Sequence, residues 1–152
     1  AKEQQVVRLG HYIFGKTLGA GTFGKVKLAE HELTGHQVAV KILNKSKLQS
    51  QNMDQKISRE IKILKLLRHP HVIRLYEVVE TDTDIILVME YVKGGELFQY
   101  IINNWPLSHN VVRKFFQQLI CAVEHIHYFR YIGPDGPAVR QLQRAVCALN
   151  QL

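Results

Sequence analysis

A glycine-rich segment near the start of the chain has residue types suited to binding phosphate. Residues 18–26 read Leu-Gly-Ala-Gly-Thr-Phe-Gly-Lys-Val, which contains the pattern G-x-G-x-x-G-x-V. Glycine lets the backbone approach phosphate oxygens and present its N–H groups, which a Cβ would obstruct. A dinucleotide-binding turn would open a helix at this point. A strand is predicted to follow instead, so the choices left are a phosphate-binding loop and a plain glycine-rich hairpin.

A lysine and a glutamate interrupt surfaces that are otherwise apolar. Lys41 lies within the apolar run 38–43, so its ammonium must reach solvent at an edge or find a partner inside. Glu60 falls on the apolar side of a predicted helix, where a carboxylate needs a cation. Lys56, one turn earlier, is a local alternative partner for Glu60. A Lys41–Glu60 pair accounts for both residues and is the preferred prediction.

Two pairs of histidines have side chains that can bind a metal ion. His125 and His127 are two residues apart on a predicted helix and therefore face different directions. His69 and His71 flank a proline in a short connection. Neither pair has a third ligand at a useful spacing, so the sequence predicts no metal site.

The elements that must position these residues change character along the chain. Residues 11–92 are predicted to form a five-stranded antiparallel sheet with one long helix, because the connections are too short for parallel crossovers. In the helix, Ile57, Ile61 and Leu64 form an apolar stripe. The glycine segment 19–24 and residues 81–84 are predicted turns. The predicted strands are 12–18, 25–30, 37–43, 72–79 and 85–90, and the predicted helix is 55–68.

Helices are predicted for the rest of the chain. A short helix at 96–103 precedes a longer one at 108–130, for which Ser108 is a suitable N-cap. Glycines and prolines end that helix within 131–137. Residues 138–152 are predicted to form a final amphipathic helix that packs on 108–130 as a hairpin, with a disordered tail as the alternative. The predicted apolar stripe of the long helix is Val112, Phe116, Leu119, Val123 and Ile126, and that of the final helix is Val139, Leu142, Val146 and Leu149.

Four segments together resemble a known family. They are the glycine segment with its continuation to Lys27, Thr34-Gly-His-Gln-Val-Ala-Val-Lys-Ile-Leu-Asn44, Arg68-His-Pro-His-Val-Ile-Arg-Leu-Tyr76 and Val88-Met-Glu-Tyr-Val-Lys-Gly-Gly-Glu-Leu-Phe98. Their order and separation resemble the small lobe of a protein kinase. The amino-acid sequences of these segments are similar to those of the catalytic α-subunits of AMP-activated protein kinases and of the fungal and plant relatives of these kinases. The similarity extends over about residues 9–127. The resemblance implies an α+β fold with a small lobe at 1–92, a hinge and the start of a large lobe at 93–130, and a divergent tail at 131–152.

The resemblance also implies an ATP site and a role for each of its residues. Leu18 and Val26 would cover the adenine, with Ala39 beside them. Lys41 would hold the α- and β-phosphates and would itself be held by Glu60. The other implied nucleotide-binding residues are Gly19, Ala20, Gly21, Thr22, Phe23 and Gly24 in the loop, Met89 as gatekeeper, Glu90 and Val92 in the hinge, and Glu96 near the ribose.

The chain departs from the family pattern after His127. No His-Arg-Asp, Asp-Phe-Gly or Ala-Pro-Glu occurs in the 152 residues. These motifs supply the catalytic Asp and the Mg²⁺ ligands of the family, so Mg²⁺ is expected in relatives while its protein ligands are absent here. The preferred interpretation is a Ser/Thr protein kinase, a transferase of the AMP-activated type, whose present chain is inactive alone. The alternative is a non-catalytic fragment that binds nucleotide or the regulatory subunits of such a kinase.

Composition and charge exclude several other classes of protein. Hydrophobic residues make up 46% of the chain, the two cysteines suggest no disulfide framework, and the apolar run 85–89 is too short to cross a bilayer. Lysine and arginine outnumber acids by 14 to 5 in residues 1–76, but acids prevail by 8 to 6 afterwards. The basic residues of helix 55–68 are interpreted as a solvated face rather than a nucleic-acid site, since no aromatic residues are interleaved. The chain is expected to be cytoplasmic, with the nucleus as an alternative, and without nucleic-acid or membrane partners.

Overall fold

The computed structural model describes residues 7–128, which form an α+β fold. These residues divide into two compact units, one of 7–55 with 75–91 and the other of 56–74 with 92–128. No helix among them is long and apolar enough to span a membrane. The elements in chain order are β1 (Arg8–Leu9), β2 (Tyr12–Gly21), β3 (Gly24–His31), β4 (Gln37–Asn44), α1 (Lys45–Ser50), α2 (Asp54–Leu66), β5 (Leu75–Glu80), β6 (Asp84–Glu90), α3 (Leu97–Asn103) and α4 (His109–Tyr128).

The first unit contains an antiparallel sheet with the strand order β1-β2-β3-β4-β6-β5. The predicted antiparallel sheet is confirmed, but it has six strands rather than five. The additional strand β1 pairs Arg8 with Ile13 and Leu9 with Tyr12. Two residues are too few to show the alternation by which a strand is recognised in a sequence. Alternate residues of the central strands pack into one core, formed by Ala29, Val38, Val40, Ile86 and Val88.

The main differences from the predicted elements are two strand boundaries and one additional helix. Strand β2 continues to Gly21, so most of the predicted turn 19–24 is strand, and only Thr22 and Phe23 connect β2 to β3. Strand β5 begins at Leu75 rather than at residue 72, because Val72 is buried in the core of the second unit. Helix α1 was not predicted. Asn44 caps it, with its side-chain oxygen accepting from the Lys47 backbone N–H at 3.1 Å.

Helix α2 presents one apolar and one basic face. The predicted stripe is confirmed, since Ile57, Ile61 and Leu64 are all buried. Lysines and arginines at intervals of three follow the exposed face, as expected for a solvated surface. These exposed residues are Lys56, Arg59, Lys62, Lys65 and, just beyond the helix, Arg68.

Helix α4 buries only part of the predicted stripe. Ser108 does cap it, through a contact of 3.4 Å between its hydroxyl and the Val111 backbone N–H. Within the predicted stripe, Ile126 is buried, whereas Val112 and Phe116 are 50% and 62% exposed. Phe115 and Ala122, which were not part of the stripe, are buried together with Ile126. The buried residues and the predicted stripe both have helical spacing, so periodicity alone cannot choose between them. The core of the second unit is formed by Ile63, Leu67, Val72, Ala122 and Ile126.

The predicted end of the long helix at 130, the helix at 138–152 and the hairpin between them lie outside the described residues.

Candidate functional site

The glycine segment forms the end of the β2–β3 hairpin. Gly19 lies opposite Val26 and Gly21 opposite Gly24, with a register irregularity in β2 between Thr17 and Gly19. The turn is tied to β4, because the carbonyl of Phe23 accepts from the Asn44 backbone N–H at 2.9 Å. The turn at the end of the hairpin is therefore held against the end of β4.

The three glycines of the motif have different surroundings. A Cβ built on Gly24 would overlap the backbone carbonyl of Ile42, so Gly24 is required by the close approach of β3 to β4. A Cβ on Gly19 or Gly21 would meet nothing within 4 Å. The protein itself therefore gives no packing reason for these two glycines. The open space beside them is the kind of space that a phosphate group approaching backbone N–H groups needs.

Lys41 belongs to a row of directly opposed residues that crosses the sheet. Val26 lies opposite Lys41 across β3 and β4, and Lys41 lies opposite Leu87 across β4 and β6. Residues opposed in this way share one face of an antiparallel sheet. The half-buried Lys41 is thus placed between two apolar side chains on this face.

A second row of opposed residues, two positions further along each strand, lies on the same face of the sheet. Leu28 lies opposite Ala39, and Ala39 lies opposite Met89. Ala39 and Met89 are both buried. The two rows form an apolar wall that carries one cation, the arrangement suited to a flat apolar ring with a phosphate chain attached. We call this surface the Lys41 face: Val26, Leu28, Ala39, Lys41, Leu87 and Met89.

The structure brings together most of the predicted nucleotide-binding residues within the first unit. The glycine hairpin adjoins the Lys41 face, and Leu18 lies at the hairpin with its side chain partly exposed. Glu90 ends β6 opposite Val38 and is half-buried. The remaining predicted residues, Glu60, Val92 and Glu96, belong to the second unit.

Two residues of the Lys41 face, Leu28 and Leu87, were not among the predicted site residues. Leu87 stands directly opposite Lys41. The signal that could have found it is the alternation of β6, in which Leu87 and the predicted Met89 are two residues apart and share a face. The continuous apolar run 85–89 obscured that alternation.

Glu60 is the buried charged residue of the described chain, at 6% exposure. Its predicted position on the core side of the helix is confirmed. A buried carboxylate is tolerated where a cation or hydrogen-bond donors stabilise its charge.

Glu96, which is predicted to lie near the ribose, is exposed. It precedes α3, and its side chain makes no capping hydrogen bond to that helix.

Histidines that are far apart in sequence meet in the second unit. The rings of His69 and His125 stack with centroids 4.9 Å apart, and those of His69 and His71 are 5.4 Å apart. Burial, followed by the nearby His125 and His71, lowers the pKa of His69. Sequence spacing gives no sign of this contact, because His69 and His125 are far apart in the chain. Within residues 7–128, no group of three or more His, Cys, Asp or Glu residues is arranged to hold a metal ion.

Comparison with known families agrees with this arrangement. The model of the protein kinase domain matches residues 12–133. The chain therefore belongs to the protein kinase domain family, and the matched range begins with β2 and includes all of the later elements. Members of this family generally use ATP and Mg²⁺, with a glycine-rich loop over the phosphates and a strand lysine that contacts them.

Proposed function

We propose that the first unit binds ATP on the Lys41 face, with the glycine hairpin over the phosphates. The observation that carries the proposal is the register of the sheet, which sets Lys41 between Val26 and Leu87 beside two glycines that adjoin open space. The apolar wall suits adenine, and the ammonium group suits the α- and β-phosphates. The backbone N–H groups of the hairpin are additional donors for these phosphates.

We further propose that the chain is a kinase of the AMP-activated, Ser/Thr-specific type. This finer assignment is supported by the amino-acid sequences of the four segments described above. The assignment suggests the regulatory subunits of such a kinase as protein partners. Co-purification of the chain with the two regulatory subunits of an AMP-activated kinase tests this assignment. No association would argue against the subtype while leaving the protein kinase family unaffected.

A second candidate function is nucleotide or partner binding without catalysis. It is favoured by the absence of His-Arg-Asp, Asp-Phe-Gly and Ala-Pro-Glu from the 152 residues. The chain thus has no counterpart of the family's Mg²⁺ ligands. The chemistry that its own residues support is the clamping of phosphates by Lys41 and the hairpin.

Titration calorimetry with ATP tests nucleotide binding, with Lys41→Met as the informative variant. We expect a dissociation constant of about 0.1–1 mM for the unmodified chain, since the residues assigned here provide one wall of a cleft and tight sites enclose most of their ligand. Lys41→Met should weaken binding by about tenfold, the loss of one charged hydrogen-bond donor.

Lys27→Met is the matched control. Lys27 lies opposite Val40 and therefore points to the other face of the sheet from Lys41. Both variants remove one positive charge, so a general electrostatic attraction would weaken binding equally in the two. Equal losses, or no heat of binding at all, would overturn the proposal.

A further inference from the structure

A cavity of about 460 Å³ lies on the other face of the sheet from Lys41. Its walls include Val38, which alternates with Ala39 and Lys41 along β4 and therefore points away from them. Its volume lies within the usual range for small-molecule sites, and its lining is mostly apolar. The cavity is lined by Tyr12, His31, Thr34, His36, Val38 and Tyr76.

Four of these six residues contribute aromatic rings, which are arranged in two perpendicular pairs. The Tyr12 and His31 rings have centroids 5.2 Å apart and planes at 77°. The His36 and Tyr76 rings have centroids 5.9 Å apart and planes at 77°. In each pair the edge of one ring meets the face of the other. Aromatic rings that line a pocket can bind an alkylated ammonium group, because the π face of each ring is negative.

Polar groups of the lining are engaged with one another. The Thr34 hydroxyl lies 3.2 Å from Nδ1 of His31, and the Tyr76 hydroxyl lies 3.5 Å from Nε2 of His36. These contacts hold the imidazole rings in place. Ring surfaces and methyl groups are therefore the main features that the cavity offers to a ligand.

One carboxylate shares the cavity's face of the sheet: Glu77 lies opposite Val88, and Val88 lies opposite Val40, which points to the same side as Val38. Lys27, opposite Val40, is on this face as well. Burial, followed by the nearby carboxylate of Glu77, raises the pKa of Tyr12. No lysine or arginine is among the six lining residues. A carboxylate beside aromatic rings favours a cation over an anion or a neutral group.

We propose that this cavity binds a methylated ammonium group, held by the rings of Tyr12 and Tyr76 with the two imidazoles and attracted by the carboxylate of Glu77. Such a group occurs in free quaternary ammonium compounds and in the side chain of trimethyllysine. The site is separate from the proposed nucleotide site, because the two use opposite faces of β4. Its test is therefore independent of whether the chain binds ATP.

The test is an NMR titration of the isotope-labelled chain with choline and with its uncharged isostere neohexyl alcohol, in which carbon replaces nitrogen. We expect choline to bind in the millimolar range and to shift the amide signals of Thr34, His36 and Tyr76. The isostere should bind about threefold to tenfold more weakly, since it has the same shape without the charge. Equal binding of the two, or shifts confined to other residues, would overturn the proposal.

Two variants examine the rings and the charge separately. Tyr76→Leu removes a ring that is partly exposed, and Glu77→Gln removes the charge at nearly constant size. Each should weaken choline binding by about threefold to tenfold, whereas Glu77→Gln should leave binding of the isostere unchanged. Phe98→Leu, at an exposed aromatic residue of the second unit, is the matched control and should have no effect.

The source of the group is distinguished by a second pair of probes. A short peptide containing trimethyllysine is compared with the same peptide containing unmodified lysine. Tighter binding of the trimethyllysine peptide than of choline supports a protein side chain as the natural ligand, and tighter binding of choline supports a free compound. If neither choline nor the methylated peptide binds, the proposal is wrong.

Discussion

At the residue scale, Gly21 and Gly24 stand opposite each other at the two ends of one turn but have different neighbours. A methyl group on Gly24 would overlap the carbonyl of Ile42, whereas one on Gly21 would meet nothing within 4 Å. We expect Gly24→Ala to lower the free energy of unfolding by about 1–3 kcal/mol, the usual cost of overpacking. Gly21→Ala should change it by less than about 0.5 kcal/mol. Urea denaturation measures both, and equal effects would show that Gly24 has no special packing role.

The predicted pairing of Lys41 with Glu60 remains a prediction and can be measured energetically. A double-mutant cycle with Lys41→Met and Glu60→Gln should give a coupling of about 1–3 kcal/mol in the free energy of unfolding. The same cycle with Lys56→Met tests the local alternative partner of Glu60. Lys56 is exposed, so its coupling to Glu60 should be below about 0.5 kcal/mol. A larger coupling for Lys56 than for Lys41 would reverse the assignment.

At the scale of elements, helix α4 has one apolar face in the core and another that is exposed. Ile126, at 1% exposure, belongs to the core of the second unit. We expect Ile126→Ala to lower the free energy of unfolding by about 2–4 kcal/mol, because it removes buried methyl groups and leaves a cavity. Phe116→Ala, on the exposed face, should cost less than about 1 kcal/mol. Comparable losses in thermal or urea unfolding would indicate that both faces of α4 are covered.

The connection between α2 and β5 contains His69, a titratable residue whose ring stacks on that of His125 in α4. The His71 backbone N–H donates to Nδ1 of His69 at 3.1 Å, and this contact needs an unprotonated nitrogen. Because folding lowers the pKa of His69, the unfolded chain binds more protons once the pH falls to about 6.5, the ordinary value. The contribution of neutral His69 to stability is therefore complete above that pH and is lost as the pH falls towards the lowered pKa.

The variant His69→Asn tests this dependence, since asparagine keeps an acceptor at a similar position but does not titrate. We expect the midpoint of thermal unfolding to fall less between about pH 7 and pH 5 in the variant than in the unmodified chain. His127→Asn, at an exposed histidine of the same unit, is the matched control. Identical pH profiles for the His69 variant and the unmodified chain would contradict the assignment.

At the scale of the whole molecule, the 152-residue polypeptide is expected to bind nucleotide without transferring phosphate. The residues that would position the hydroxyl nucleophile and hold Mg²⁺ in the family have no counterpart in its sequence. We expect no transfer of the γ-phosphate to a peptide above the level without protein. Radiometric measurement checks this, and turnover that Lys41→Met abolishes would show that the chain has a catalytic group not recognised here.

Local patterns in the sequence determined the fold class and much of the candidate site. The glycine spacing, the lysine within an apolar strand and the glutamate on the apolar side of a helix each depend on neighbours within a few residues. The antiparallel arrangement followed from the short connections. The fold class is confirmed by the sheet and by membership of the protein kinase family, and the core-facing position of Glu60 by its burial. The nucleotide-binding roles of the site residues and the AMP-activated subtype stay predictions.

Only the tertiary structure decided which surfaces meet. Apolar residues occur around much of helix α4, and packing buries Phe115, Ala122 and Ile126 but leaves Val112 and Phe116 exposed. His69 and His125 stack although they are 56 positions apart in the sequence. His36 and Tyr76, 40 positions apart, likewise form a ring contact. Such contacts depend on how elements pack, and packing selects among surfaces that the residue pattern makes equally suitable.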